Sequence, residues 1–254
     1  MSQPLIVITN DDGIRAKGIR ALIEVAQNFG ELLIVAPDKA QSGMGHAITV
    51  NNIIRVEKSP IFPELNAFSC TGTPVDCVKM AAYLAKDRKP DLVLSGVNHG
   101  ANTSLNVLYS GTMSAAVEGF IEGIPSIGFS LDNFDADADF EPSKLFLEKI
   151  IRTTLETKFE NGVCLNVNIP AVATEGIHGI KVCRAAEAQW EDEFMERTDN
   201  FGRHYYWLAG HFENKDNGED TDIWAVKNNF VSVVPIQHDL TAFDQIEEIK
   251  NIKF

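Results

Sequence analysis

Two adjacent carboxylates near the start of the chain are the strongest chemical signal in the sequence. Asp11 and Asp12 follow a short apolar run, and no basic residue stands next to them. Neighbouring carboxylates repel each other, and a bound divalent cation removes that repulsion. The pair therefore indicates a metal site and supplies the candidate catalytic residues. The alternative is that one Asp caps the following helix while the other is solvated.

Two neutral oxygen donors extend the pair to a candidate set of four metal ligands. Ser42 and Asn98 each lie in a polar stretch that follows a predicted strand. Carboxylate, hydroxyl and amide oxygens suit Mg²⁺ or Mn²⁺, so we expect one divalent ion of this kind. Two carboxylates already neutralise a dication, and neutral further ligands leave it able to attract phosphate. Taken alone, each of the two residues is also typical of a turn.

A segment rich in hydroxyl groups and glycine predicts the phosphate site. Ser110, Gly111 and Thr112 lead into a predicted helix, so their hydroxyl and N–H groups would lie at its positive end. Gly43 is assigned to the same phosphate cradle. Helix capping explains the segment as well, and capping and phosphate binding are compatible.

Two histidines lie near these candidates in the sequence. His46 follows Ser42 within one loop, and His99 is next to Asn98. Either imidazole could orient water or protonate a leaving group. The alternative is that each histidine makes only a structural hydrogen bond.

Strand and helix patterns place these residues at one edge of a parallel sheet. Short buried strands are predicted at residues 5–9, 32–36, 91–95 and 126–130, and helices at about residues 18–29, 74–86, 112–122 and 144–157. Strands that alternate with helices form βαβ units, which require a parallel sheet. We therefore predict a doubly wound, Rossmann-like α/β fold. Ligands bind outside the carboxyl ends of the strands in such folds, and the candidate residues follow those ends.

The second half of the chain has a different character. Strands are predicted at residues 163–169 and 231–236, and the acidic stretch at residues 214–222 is predicted to be a solvated loop. Aromatic residues are concentrated in a hairpin-like segment at about residues 200–212. Such a segment either covers a partner chain or forms a small second core layer.

These patterns predict a single α/β domain over residues 1–254. Its core, at about residues 1–160, would carry the site. The remainder, at about residues 161–254, would form a C-terminal extension with a β-hairpin.

The overall charge excludes one class of partner. The 254 residues carry a formal net charge of -14, whereas binding to nucleic acid needs a basic surface. An anionic substrate would therefore need a local cation to hold it. The N-terminal apolar run is too short for a signal peptide, and no apolar stretch has the length of a membrane span. We expect a soluble cytoplasmic protein that binds neither nucleic-acid polymers nor membranes.

The cysteines are expected to be buried free thiols. None of the four belongs to a C-x-x-C pair or has zinc-like spacing: Cys70, Cys77, Cys164 and Cys183. This use of cysteine is typical of proteins in a reducing compartment.

Four blocks of sequence, in a fixed order, resemble the SurE family of survival proteins, which are 5'-nucleotidases. The blocks are IVITNDDGIRAKGI, VAPDKAQSGMG, TGTPVDCV and DLVLSGVNHGANTSLNVLYSGTMSAAVEG. They cover roughly the first half of the chain, and their order is highly specific. The second half resembles the family only in its general plan.

The resemblance implies a metal-dependent phosphatase that acts on nucleoside monophosphates. Some members of the family also act on 3'-nucleotides or short polyphosphate. The family's metal ligands fall on Asp11, Asp12, Ser42 and Asn98. Its phosphate-contacting segment falls on Ser110, Gly111 and Thr112, and Asn10 and Gly43 lie in matching blocks. The resemblance also implies a C-terminal region that reaches between subunits in homodimers or homotetramers.

We expect metal-assisted hydrolysis without a phosphorylated enzyme, with Asp12 as a candidate base as well as a ligand. An aspartyl-phosphate phosphatase usually places its second Asp two residues on, together with a separate lysine, whereas the two carboxylates here are adjacent. A signalling receiver domain also carries an acidic pair after its first strand. It needs a lysine after its last strand, and Leu131-Asp132-Asn133 offers none. A nucleotide-binding module without turnover is the third alternative.

Overall fold

The computed structural model describes residues 3–86, 88–191 and 194–252. Within these residues the strands are β1 (Leu5–Thr9), β2 (Glu31–Pro37), β3 (Val56–Lys58), β4 (Asn66–Cys70), β5 (Leu92–His99), β6 (Ser126–Leu131), β7 (Cys164–Ile169), β8 (Gly179–Val182), β9 (Ala188–Glu191), β10 (Phe194–Thr198), β11 (His204–Leu208), β12 (His211–Asn214) and β13 (Phe230–Pro235). The helices are α1 (Lys17–Ala26), α2 (Pro74–Leu84), α3 (Gly111–Ile121), α4 (Lys144–Glu156), α5 (Asp222–Lys227) and α6 (Ile246–Lys250).

Nine of the strands form one central sheet in the order β3-β4-β2-β1-β5-β6-β7-β13-β8. The six strands from β4 to β7 are parallel to one another, while β3 and β13 run antiparallel to their neighbours β4 and β7. Helices cover both faces of the sheet. The doubly wound α/β fold predicted from the sequence is therefore confirmed.

The first strand shows how the sequence produces the two layers of helices. Successive side chains of a strand point to opposite faces, so an apolar run such as LIVIT must be buried on both. Ile6 and Ile8 pack in the core formed with α1 and α4, whereas Leu5 and Val7 pack in the core on the side of α2. Burial on both faces is the reason why this run could be identified as a central strand.

The predicted elements of the parallel core end within three residues of the observed ones, with one exception. The exception is the strand predicted at residues 91–95, because β5 continues to His99 with a register irregularity between Ser95 and Asn98. Gly96 allows this continuation. Its φ is +128°, and a Cβ atom there would lie 2.3 Å from the carbonyl oxygen of Phe129. Asn98 therefore lies on β5, where it pairs with Ser130 of the neighbouring strand β6.

A pair of short antiparallel ribbons projects from the second half of the chain. We call this region the hairpin arm (residues 188–191 and 194–214). β10 pairs with β11, and β9 pairs with β12. The hairpin predicted at about residues 200–212 is present, and its turn lies at residues 199–203. β11 and β12, on either side of Gly210, pair with the earlier strands β10 and β9.

The C-terminal half contributes strands to the central sheet as well as the hairpin arm. β7, β8 and β13 belong to that sheet. The acidic stretch predicted to be a solvated loop ends at Thr221, whose hydroxyl accepts a hydrogen bond from the N–H of Trp224 and caps α5. The four cysteines are free and buried, as expected.

The length of the helices bears on membrane association. None of the helices in the described parts of the chain is long and apolar enough to cross a lipid bilayer.

Candidate active site

The carboxyl ends of β1 and β5 bring the two candidate carboxylates and Asn98 together. The two strands are parallel neighbours, with Thr9 opposite Ser95. Because β2 lies on the other side of β1, the strand order reverses here, and a crevice opens at such a switch point. The backbone N–H of His99 donates to Asp12 Oδ2 at 3.3 Å. This hydrogen bond joins the two strand ends directly.

Asp11 lies against the N-terminus of α3. It is only 3% exposed, and its carboxylate accepts a hydrogen bond from the hydroxyl of Thr112. Gly111 permits this close approach, since a Cβ atom at that position would lie 2.7 Å from the Cβ of Asp11. Burial raises the pKa of Asp11 to about 6, although the Thr112 hydrogen bond opposes the shift. A cation at this place would favour the charged form.

Asp12 is half-buried beside it. Burial raises the pKa of Asp12 above its ordinary value, and the backbone hydrogen bond from His99 acts in the opposite direction. The charge of Asp12 also contributes to the raised pKa of Asp11. The two carboxylates therefore lack full solvation and repel each other.

Asn98 has its side-chain amide oriented by the chain itself. Its Nδ2 donates to the carbonyl of Gly100 at 2.7 Å, which leaves Oδ1 on the opposite side of the amide. Asn98 is half-buried and lines the same cavity as Asp11. An oxygen donor beside the carboxylates is thus held in a defined orientation.

Ser42 and Gly43 contribute another wall of this cavity. Both are exposed and lie in the loop between β2 and β3. Gly43 has a φ of +74°, a backbone conformation that favours glycine. The N–H of Gly45 donates to the carbonyl of Tyr109 at 3.2 Å, which holds the loop against the segment that precedes α3.

The predicted phosphate segment forms the start of α3. The Ser110 hydroxyl accepts a hydrogen bond from the N–H of Met113 at 3.0 Å and caps the helix. The Thr112 hydroxyl is directed to Asp11, so both hydroxyls have a structural partner. Backbone N–H groups in the first turn of a helix have no partner within the helix and carry its positive end. The segment can therefore bind an anion through its backbone.

A cavity of about 380 Å³ opens over these residues. Five of the predicted site residues line it: Asp11, Ser42, Gly43, Asn98 and Ser110. The other four lie within two positions of this lining in sequence: Asn10, Asp12, Gly111 and Thr112. The structure thus brings the predicted metal and phosphate residues to one place, and their roles there stay predictions.

Asn10 shapes the turn that carries the carboxylates. It is fully buried, and its Nδ2 donates to the carbonyl of Gly13 at 3.0 Å. Gly13 has a φ of +93°, which the tight turn requires. The amide oxygen of Asn10 is also buried, and no donor from the described residues reaches it. This oxygen lies directly before the two carboxylates in the chain.

The two histidines differ in their surroundings. His99 lines the cavity, and its ring nitrogen Nδ1 lies 2.9 Å from the carbonyl oxygen of Asp135. His46 lines a different cavity, and its Nε2 lies 2.8 Å from the buried Glu118 carboxylate. Of the two, only His99 therefore lies at the candidate site.

A buried polar network behind the site was not identified from the sequence. The Asn102 N–H donates to Asn168 Oδ1 at 2.7 Å, and Asn166 Nδ2 donates to the Asn102 carbonyl at 2.7 Å. Asn102 Nδ2 also donates to the Ser130 hydroxyl at 2.9 Å. These bonds fasten the loop after β5 to β6 and β7. The available signal was the pair of asparagines at alternate positions of the otherwise apolar strand CLNVNI.

A second buried contact fastens the same loop to the C-terminal half. Asp222 Oδ2 accepts from the N–H of Ser104 at 2.8 Å, and Asp222 Oδ1 accepts from the N–H groups of Ala186 and Ile223 at 3.0 and 2.8 Å. Asp222 is fully buried, and burial raises its pKa despite these bonds. Its assignment to a solvated loop was wrong, because three backbone donors replace the water around it.

The residues of the candidate site fit a hard divalent cation. Among the described residues, no three His, Cys, Asp or Glu side chains form a metal-binding cluster. The donors that the cavity does offer are carboxylate, hydroxyl and amide oxygens, which suit Mg²⁺ or Mn²⁺ better than softer metals. The raised pKa of Asp11 and the unpaired buried oxygen of Asn10 are both features that a nearby cation would compensate.

Comparisons with known proteins point in the same direction. The family model described as survival protein SurE matches residues 6–192. A 5'-nucleotidase SurE from Flavobacterium johnsoniae is 56% identical over 99% of this chain and 97% of its own length. A protein of the same name from Cytophaga hutchinsonii is 55% identical over 98% of this chain and 96% of its own length.

A solved structure agrees with the fold as well. The crystal structure of SurE protein from Aquifex aeolicus superposes with a TM-score of 0.85 at 37% sequence identity. The superposition covers 97% of this chain and 98% of that one. The match therefore extends beyond the four blocks, and this chain belongs to the SurE family.

Proposed function

We propose that this protein is a metal-dependent phosphomonoesterase that hydrolyses nucleoside 5'-monophosphates to nucleoside and phosphate. One observation carries the proposal: Asp11, Asp12 and Asn98 meet at the switch point of the sheet, directly beside the N-terminus of α3. Such carboxylates can hold a cation, and such a helix end can hold a phosphate group. The name 5'-nucleotidase, which the full-length relatives carry, supports the same reaction.

We assign the metal to four residues and to one of two ions. Asp11, Asp12, Ser42 and Asn98 would hold a single Mg²⁺ or Mn²⁺. A bound ion would supply Lewis-acid chemistry, which withdraws charge from the phosphate and lowers the pKa of water. Two carboxylates and two neutral donors balance its charge without cancelling its attraction for an anion.

The chain's own groups position the phosphate and move the proton. The Thr112 hydroxyl holds the Asp11 carboxylate in place, and the N–H of Gly111 at the positive end of α3 donates to a phosphate oxygen. Asp12 is the candidate base for the attacking water, since its pKa is raised and its Oδ2 is oriented by His99. The phosphoryl group passes to water without bonding to the protein.

The proposal includes the assembly and the place of action. The hairpin arm exposes large apolar side chains: Phe194 at 68%, Trp207 at 65% and Leu208 at 64%. Apolar surface of this kind is typical of a protein–protein interface. We therefore propose a homodimer or homotetramer in which the arm contacts another subunit. We also propose that the protein acts in the cytoplasm.

A phosphate-release assay tests the proposed reaction. Nucleoside 5'- and 3'-monophosphates and short polyphosphate would be incubated with the protein, first with EDTA and then with Mg²⁺ or Mn²⁺ restored. We expect release from 5'-monophosphates that EDTA abolishes and the metal restores. Activity that chelation leaves unchanged would contradict the metal assignment, and a lack of release from every substrate with metal present would contradict the reaction.

A further inference from the structure

A buried carboxylate on α3 has no part in the proposed reaction. Glu118 is only 3% exposed and lies about two turns beyond the phosphate segment with which this helix begins. A carboxylate removed from water needs charged or hydrogen-bonding partners, because its burial is otherwise costly. The Nε2–H of His46 donates to Glu118 Oε2 at 2.8 Å, and Lys79 Nζ lies 2.5 Å from Glu118 Oε1. Lys79 belongs to α2, whereas His46 belongs to the loop between β2 and β3.

This loop is fastened on both sides of the proposed metal ligand Ser42. On one side, the N–H of Gln41 donates to the carbonyl oxygen of Asp11 at 2.7 Å. On the other side, His46 reaches Glu118 from a position four residues after Ser42. Ser42 itself is exposed, so its place in the cavity depends on the contacts that flank it.

The remainder of the loop is fastened separately, to the start of α2. The Thr73 hydroxyl donates to the carbonyl of Ala47 at 2.7 Å, and the N–H of Thr49 donates to the buried Asp76 at 3.1 Å. These bonds do not involve His46. Loss of the His46 contact should therefore loosen the short stretch around the proposed ligand without detaching the whole loop.

We propose that His46 and Glu118 are positioning residues for the metal site, and that their hydrogen bond holds Ser42 facing Asp11. The inference rests on the proposed function, because it takes Ser42 as a metal ligand. Neither residue is catalytic, since both act through Ser42. Because α3 carries the phosphate segment at its start and Glu118 further along, one helix would place both the phosphate contacts and a ligand of the metal.

Binding of Mn²⁺ tests the assignment without turnover. His46→Ala changes an exposed residue, so the variant should fold, which circular dichroism checks. Its Kd for Mn²⁺, measured by electron paramagnetic resonance of the free ion, should rise roughly tenfold, as is usual when a group that orients a metal ligand is lost. His46→Gln keeps an N–H that can donate to Glu118 and should restore most of the affinity. His178→Ala, which removes an exposed histidine bonded to the Asn228 carbonyl, is the matched control and should leave Kd unchanged.

A double-variant cycle tests whether the two residues act as a pair. Glu118→Ala should raise the Kd for Mn²⁺ by a factor similar to that of His46→Ala, and the double variant should bind no more weakly than either single one. Glu122→Gln removes the other carboxylate that Lys79 contacts and should leave Kd unchanged. Additive losses in the double variant would contradict the pair.

Hydrogen exchange of the protein in EDTA separates this inference from the proposed function. In His46→Ala the N–H of Gly45, which donates to Tyr109, should exchange faster, whereas that of Thr49 should exchange as in wild type. Unchanged exchange at Gly45, or an unchanged Kd for Mn²⁺, would overturn the inference. A wild type that binds no Mn²⁺ would refute the metal assignment itself, and the exchange result would still show whether the pair holds the loop.

Discussion

The sheet edge buries polar side chains, whereas the hairpin arm exposes apolar ones. At the edge, Asn10, Asp11 and Thr112 are each at most 3% exposed, whereas Phe194 and Trp207 in the arm are more than 60% exposed. Burying a carboxylate is unfavourable unless a partner compensates, and large exposed apolar patches usually mark contact sites. These are the features that the proposed partners would compensate, a cation and phosphate at the edge and another subunit at the arm.

The largest effect is expected at Asp222, which connects the loop after β5 to the segment that precedes the hairpin arm. Asp222→Ala would leave the N–H groups of Ser104, Ala186 and Ile223 buried without an acceptor. Each unsatisfied donor costs about 1–3 kcal/mol, so we expect the free energy of unfolding to fall by about 3 kcal/mol or more. Urea unfolding measures this change. Asp220→Ala removes an exposed partner of Arg184 and should change the free energy of unfolding little. Equal effects of the two variants would contradict the structural role of Asp222.

The next effect concerns the reaction at the sheet edge. Asp11→Asn and Asp12→Asn should each lower the rate of phosphate release by more than about 100-fold, or roughly 2.7 kcal/mol of transition-state stabilisation. The amides keep the shape of the side chains and remove the charge that would hold the cation. Asp38→Asn, at the exposed end of β2, is the control and should stay active. A smaller loss at both positions would count against them as ligands.

The negative charge of Asp11 should lower the free energy of unfolding when no metal is present. The folded pKa of Asp11, about 6, lies above the ordinary value of 3.8, so the folded chain binds more protons than the unfolded chain between about pH 4 and pH 6. The free energy of unfolding therefore falls as pH rises through this window. In EDTA at pH 7, Asp11→Asn should be more stable than wild type by about 2 kcal/mol, and the two should agree near pH 4. A variant that is less stable at pH 7 would refute this prediction.

The smallest effect on the fold is expected in the hairpin arm. Trp207→Ser should change the free energy of unfolding of the subunit by less than about 0.5 kcal/mol, because the side chain is exposed. The same substitution should weaken assembly, which sedimentation velocity over a range of concentrations would detect. Tyr83→Ser removes a comparably exposed ring from α2 and should leave assembly intact. A wild-type protein that stays monomeric at all concentrations would refute the proposed role of the arm.

The parallel core could be predicted because its signals are local. The LIVIT strand is apolar on both faces, and Thr73 with Asp76 forms a capping box at the start of α2. The candidate residues follow strand ends, and the doubly wound fold places those ends at one edge. Fold class and the grouping of Asp11 with Asn98 therefore followed from short stretches of sequence.

The remaining features depend on contacts between distant residues. Trp190 reaches the cavity through Asn106, 84 positions earlier in the chain, and neither residue type identifies the other. Asp222 belongs to an acidic stretch that is otherwise typical of a solvated loop, and three backbone donors from elsewhere decide its burial. The pairing in the hairpin arm was missed for the same reason, since the strands on either side of Gly210 have earlier partners.

The two carboxylates at the site are each held by a donor from far along the chain. The Thr112 hydroxyl that reaches Asp11 lies 101 positions later, and the N–H that reaches Asp12 lies 87 positions later. Neither arrangement survives in an unfolded chain, so a cation recognises only the completed native state. Binding of that kind stabilises the fold by mass action, in proportion to the logarithm of the free ion concentration above the dissociation constant. The ion proposed for catalysis would thus also contribute to the free energy of unfolding, and this contribution would be lost when the ion is removed.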